Sequence, residues 1–140
     1  MIEFVNVTKS YPNGDKVIDD FNLTVPVGEF LVITGKSGAG KTTLGRLLIH
    51  DIVPEKGKII VDGEDLSKIN PKKIPLLRRK VGFIFQDFKI IPDKTISENI
   101  AISLEIAGYN PNQIKGKIER LLTMVGIPNK GNLFPGQLAG

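Results

Sequence analysis

The sequence predicts an α/β fold organised around a strand, a glycine-rich loop and a helix in direct succession. An apolar run, "EFLVIT" (29–34), leads into "GKSGAGKT" (35–42) and then into "KTTLGRLLIHD" (41–51), where Leu44, Leu47 and Leu48 recur at helical spacing. Short runs rich in Ile, Val and Phe lie on both sides of this unit, and from about residue 95 the periodicity becomes helical.

Composition bounds the possibilities. The length of 140 residues suits one ordinary domain with a real hydrophobic core, and 41% hydrophobic with 24% charged residues is the balance of a globular chain. No apolar run approaches the roughly 18 residues of a membrane-spanning helix. The start, Met1-Ile2-Glu3-Phe4, lacks the basic and apolar regions of a secretion signal. With no cysteine, a disulfide framework and a thiolate metal site are excluded, which suits a reducing cytoplasm. A surplus of 19 Lys and Arg over 15 Asp and Glu gives +4. That charge fits anionic partners and a well-solvated surface alike, so it selects no function.

The elements follow in order. "IEFVNV" (2–7) and "VIDDFNLTV" (17–25) flank the turn cluster "YPNG" (11–14) and read as a hairpin. "EFLVIT" is a short, mostly apolar run before the glycine-rich loop, as a buried strand should be, and residues 41–51 form the helix after the loop. "GKIIVDGEDL" (57–66) returns to strand, with a turn at Asp62-Gly63. Asn70 before Pro71 reads as an N-cap and first helical residue of a basic helix, "PKKIPLLRRK", made less regular by Pro75. "VGFIF" (81–85) is a second buried-strand candidate. In "TISENIAISLEIAG" (95–108) strand alternation competes with a helical face, but Thr95 with Glu98 is a capping-box pattern and Gly108 a natural stop, so helix is expected. From Asn110 to Gly126, Ile114, Ile118, Leu121, Leu122 and Val125 form one apolar stripe behind a start marked by Asn110, Pro111 and Gln113.

The loop carries the chemistry. Gly35, Lys36, Ser37, Gly38, Ala39, Gly40, Lys41 and Thr42 satisfy G-x-x-x-x-G-K-[ST], and Thr43 follows. Glycines at 35, 38 and 40 let the backbone come close to a phosphate. Successive N–H groups then form an anion nest, reinforced by the positive end of the helix. Lys41 supplies a charge for the terminal phosphates, and the Thr42 hydroxyl is a hard-oxygen ligand for Mg²⁺. This is a phosphate-binding loop, with ATP and Mg²⁺ as the expected cofactors.

The loop alone does not separate GTPases, kinases and transport ATPases. "NKGN" (129–132) imitates the guanine-reading N-K-x-D, but Asn132 cannot accept both guanine N–H bonds as an aspartate does. A small nucleotide kinase would use Arg78 and Arg79 as lid arginines, yet no acidic constellation accompanies them.

The surrounding motifs resemble the nucleotide-binding subunit of ATP-binding-cassette (ABC) transporters over the whole 140 residues. "PEKGKIIVDG" (54–63) matches that family's hairpin, and "VGFIFQDF" (81–88) its Q-loop. The block "RRKVGFIFQDFKIIPDKTISENIAISLEIAG" is most similar to the cell-division branch, with lipoprotein-release and macrolide-export ATPases as competitors. The resemblance implies an N-terminal antiparallel β subdomain with part of a RecA-like core (about 1–86) and a helical subdomain (about 87–140). It implies that Tyr11 stacks on adenine, and that Gln86 reaches Mg²⁺ and the attacking water beside Lys41. It implies two copies sandwiching two ATPs, an integral membrane subunit as partner, a place on the cytoplasmic face of the membrane, and no nucleic acid.

"PGQLAG" (135–140) resembles the family's signature P-x-Q-L-S-G-G-[QE] as far as its first paired glycine, with Ala139 at the usual serine. By that resemblance the sequence is expected to be an N-terminal fragment, truncated before the Walker B aspartate and the catalytic glutamate. It is therefore expected to be unable to hydrolyse ATP by itself, with open edges beside "EFLVIT" and "VGFIF". His50, the only histidine, lies by position on the loop helix and cannot serve as the family's switch. Two other readings are a nucleotide-gated binding module without chemistry and a nucleic-acid-associated ATPase. The latter is disfavoured because no coiled coil interrupts the chain before the signature.

Overall fold

Our computed structural model describes residues 1–12, 14 and 16–138, in two compact units, Met1–Phe83 and the part from Ile84 onward. The first unit is a four-stranded antiparallel sheet with a helix against it. β1 (Ile2–Ser10) pairs with both β2 (Lys16–Val25) and β3 (Lys56–Val61), and β4 (Glu64–Asp65) completes the order β2-β1-β3-β4. The expected hairpin and the later return to strand are both present. Asp62 and Gly63 take φ of 49° and 82°, the left-handed pair that a two-residue hairpin between twisted strands requires, and join β3 to β4. Asn13 of the first turn lies outside the described residues.

One irregularity in β1 makes the core possible. Phe4 and Val7, three residues apart, would face opposite sides of a regular strand, yet both are buried. The register shifts between them and Asn6 takes φ of 48°, a bulge that turns Val7 back to the core. The Asn6 amide donates to Asn22 Oδ1 and its side chain to Asp20 Oδ1, each at 2.8 Å, so the displaced groups find partners. Phe4, Val7, Ile18, Ile59 and Val61 then pack with Leu44 and Leu47 of α1 (Lys41–Leu48), together with Leu66 and Leu77. This packing seats the helix that follows the glycine loop on the sheet.

The helical elements depart from expectation in instructive ways. α1 stops at Leu48, so His50 lies just beyond it with φ of 51°. Arg78 explains the end: its Nε donates to the Ile49 carbonyl at 3.0 Å and its Nη2 to the His50 carbonyl at 3.1 Å, satisfying terminal carbonyls with a cation. "PKKIPLLRRK" divides into a 3₁₀ turn (Pro71–Lys73) and α2 (Ile74–Lys80). Pro75 has no N–H to give, so it is tolerated where the helix restarts, in the first turn of α2.

Neither expected core strand forms. "EFLVIT" joins no ladder, with Phe30 90% and Val32 65% exposed, and "VGFIF" joins none either, with Ile84 85% exposed. A buried strand needs hydrogen-bonding neighbours on its flanks, and among the described residues no strand pairs with these runs. Phe83 nevertheless packs on α1, where a Cβ at Gly45 would meet its ring at 2.6 Å. That contact accounts for a glycine in the middle of the helix.

The second unit pairs α3 (Ile96–Ile106) with α4 (Pro111–Met124). Both begin with reciprocal caps. The Glu98 N–H donates to Thr95 Oγ1 at 3.2 Å while the Thr95 N–H donates to Glu98 Oε2 at 2.7 Å. Asn110 and Gln113 repeat the arrangement at 3.0 and 3.1 Å. Of the expected stripe on α4, Ile114 and Leu122 are buried and Ile118 half-buried, whereas Leu121 and Val125 face solvent. The polar segment "NKGN" is structural: the Gly131 and Leu133 carbonyls accept from the Ser97 and Ile96 N–H groups, each at 2.9 Å, completing the first turn of α3.

Candidate nucleotide-binding site

The glycine loop runs exposed from Gly35 to Ala39 and ends at Gly40, the N-cap of α1. Gly40 is glycine for two reasons. Its φ of 85° is left-handed, and a Cβ there would lie 2.9 Å from the Val17 carbonyl oxygen of β2. The loop is thereby pressed onto the sheet. No side chain caps α1, and its first turn carries no acidic residue. Its N-terminal N–H groups and positive dipole end are therefore left for an external anion.

Lys41 Nζ donates to the Gly35 and Lys36 carbonyls, each at 2.7 Å, bracing the loop from within. Thr42 is exposed beside it, while Thr43 is buried with its hydroxyl 3.2 Å from that of Tyr11. Arg46, one turn further along α1, pairs through Nε with Asp51 at 2.7 Å. This hydrogen bond, with a smaller contribution from Tyr11, raises the guanidinium pKa above its ordinary value.

The first unit thus brings together Tyr11, the whole loop, Lys41, Thr42 and Thr43. Gln86 belongs to the second unit, exposed in a turn over 86–89 where Phe88 and Lys89 take φ of 53° and 50°. Arg78, a lid arginine in the kinase alternative, is instead occupied at the end of α1. Gln137 closes a short turn by accepting from the Phe134 N–H at 2.8 Å, and the Ala139 substitution lies outside the described residues.

Sequence reasoning missed Asn99. Its side-chain amide donates to the Ile91, Lys94 and Thr95 carbonyls at 3.0 Å, and its oxygen accepts from the Ile91 N–H at 2.9 Å. It fastens the segment after Gln86 onto α3. An Asn four residues past a helix cap has no distinctive spacing, so only the three-dimensional arrangement reveals it.

The residues present suit a nucleoside triphosphate. An uncapped helix start, an exposed glycine-rich loop and a lysine held on its carbonyls match several phosphate oxygens. The Thr42 hydroxyl suits Mg²⁺, which takes few protein ligands and keeps phosphate and water oxygens. Among the described residues no cluster of three or more His, Cys, Asp or Glu offers an independent metal cage.

A sheet-backed phosphate loop with its helix, followed by a helical unit, defines a nucleotide-binding cassette. The family model "ABC transporter" matches residues 18–140, and the chain belongs to that family. Over all of its 140 residues it is 42% identical to the cell division ATP-binding protein FtsE of Bacillus subtilis, covering 61% of that protein. It is also 42% identical to the methionine import ATP-binding protein MetN of Photobacterium profundum, again over the full chain and 42% of that protein. A solved dimeric bacterial ABC transporter cassette superposes with a TM-score of 0.88 at 30% identity, over the full chain and 64% of its own length. The chain thus spans about 61% of the FtsE relatives it matches.

Proposed function

We propose that this chain is the ATP-binding part of an ABC-type ATPase whose intact form couples ATP binding and hydrolysis to a membrane partner. The observation that carries the reading is the uncapped start of α1 beneath a glycine cradle whose lysine, Lys41, is held on loop carbonyls. On binding, Lys41 exchanges those carbonyls for the terminal phosphates, the loop N–H groups hold the remaining phosphate oxygens, and Tyr11 receives the adenine face. The Thr42 hydroxyl would hold Mg²⁺, which would supply charge neutralisation at the phosphates, and the family resemblance implies that Gln86 serves the metal and the attacking water.

In this reading two copies close over two nucleotides, consistent with the dimeric state named for the solved cassettes. The protein works at the cytoplasmic face of the membrane. An integral membrane subunit holds it there in this reading; no helix among the described residues is long and apolar enough to cross a membrane. For the particular system we favour an FtsE-like role in cell division with an FtsX-like partner. The match to FtsE over all 140 residues of this chain and the "RRKVGFIFQDFKIIPDKTISENIAISLEIAG" block support it. MetN-type import ATPases match at the same identity, so the choice rests on that block and not on overall similarity.

Isothermal titration of ATP into Lys41→Ala tests the site. Loss of a buttressed charge from a phosphate cradle should weaken binding at least about 100-fold, from charge-assisted bonds of roughly 1.5–3 kcal/mol each. Undiminished affinity would remove the loop as the binding site. Co-purification with an FtsX-type or a methionine-permease-type membrane subunit decides between the two systems.

A further inference from the structure

We propose, building on the nucleotide-binding reading above, that Thr43 is a positioning residue: its hydroxyl anchors the Tyr11 ring to α1, making the base platform and the phosphate cradle one piece. Thr43 is 5% exposed, the single polar side chain among the buried residues described, and its hydroxyl stands 3.2 Å from Tyr11 Oη. The backbone leading to Tyr11 is held as well. Ser10 bonds Glu55 through its N–H at 2.9 Å and its hydroxyl at 3.2 Å. Tyr11 is therefore gripped from both sides, by the end of β1 at its backbone and by the first turn of α1 at its ring tip.

The physical consequence concerns preorganisation. An aromatic ring on a free loop must be immobilised when a base stacks on it, and that ordering opposes binding. A ring already fixed by its hydroxyl has been ordered during folding. The hydroxyl of Tyr11 then matters to base binding although it does not touch the stacking face. Because the anchor lies on the helix that begins at the cradle, the distance between base and phosphates is built in.

The test compares affinities for ATP and for inorganic tripolyphosphate, which has no base, in the full-length gene product. Tyr11→Phe keeps the ring but loses the anchor. It should weaken ATP about three- to tenfold, the worth of one hydrogen bond, and leave tripolyphosphate unchanged. Thr43→Val should weaken ATP at least as much, the double variant should be no weaker than the weaker single, and Thr43→Ser should restore wild-type affinity. Wild-type ATP affinity in Tyr11→Phe, multiplicative losses in the double variant, or failure of serine to rescue would each overturn the anchor. Lys41→Ala separates the two levels. If it still binds both ligands, the site reading fails. If it loses both while Tyr11→Phe is silent, only the anchor fails.

Discussion

Gly38 and Gly40 both take left-handed φ, at 80° and 85°, but their surroundings differ. A Cβ at Gly38 meets nothing within 4 Å, whereas one at Gly40 meets the Val17 carbonyl at 2.9 Å. Gly38→Ala should therefore cost only the backbone penalty, about 1–2 kcal/mol. Gly40→Ala should cost clearly more and loosen the loop from β2. Urea unfolding of the pair checks the order, and equal losses would show that the approach to Val17 is not constraining. These glycines were legible in the sequence because phosphate binding demands them at fixed spacing. The Tyr11–Thr43 contact was not, since two hydroxyls 32 positions apart leave no periodic trace. Tyr11 entered the site only through family resemblance, and its attachment to α1 emerged only in three dimensions.

Caps and breakers were readable among the elements because they act locally. Thr95 with Glu98 forms the reciprocal bonds its spacing suggested, and Asn110 with Gln113, read from the sequence as a helix start, forms the same pair. Thr95→Ala should destabilise α3 by about 1 kcal/mol. The donated N–H and hydroxyl of Thr95 hold the Glu98 carboxyl below its ordinary pKa of 4.5. Its folded pKa being depressed, this stabilisation is present above the unfolded value and fades as pH falls through the lower folded one. Acid unfolding of wild type and Glu98→Gln should therefore converge at low pH, and parallel curves would contradict the linkage. Arg78→Ala should lower stability by about 1 kcal/mol, having left the end of α1 uncapped. Its role was hidden because it spans 29 positions to the carbonyl it serves. "EFLVIT" and "VGFIF" failed as strands for the converse reason. Composition signals a wish for burial, but a ladder also needs neighbours, and those are not local.

For the molecule as a whole, the exposed side chains of Phe30, Val32 and Ile84 are a liability in water. In the 140-residue chain, Phe30→Ser should reduce self-association in sedimentation velocity while leaving the melting temperature nearly unchanged, because Phe30 is 90% exposed and supports little of the fold. A marked drop in melting temperature would show that the run is packed after all. The first unit's own core, from Phe4 to Leu77, does not depend on it.

The start of α3 has a different kind of consequence. There the Asn99 side chain holds the preceding segment, and the carbonyls of Gly131 and Leu133 cap the first turn from much later in the chain. A Cβ at Gly131 would fall 2.4 Å from the Ser97 hydroxyl. Descent with modification is therefore constrained at this junction. A side chain at 131 would have to displace both the Ser97 hydroxyl and Leu122 Cδ1, 3.0 Å away, so a lineage that acquires one there must also change what it meets.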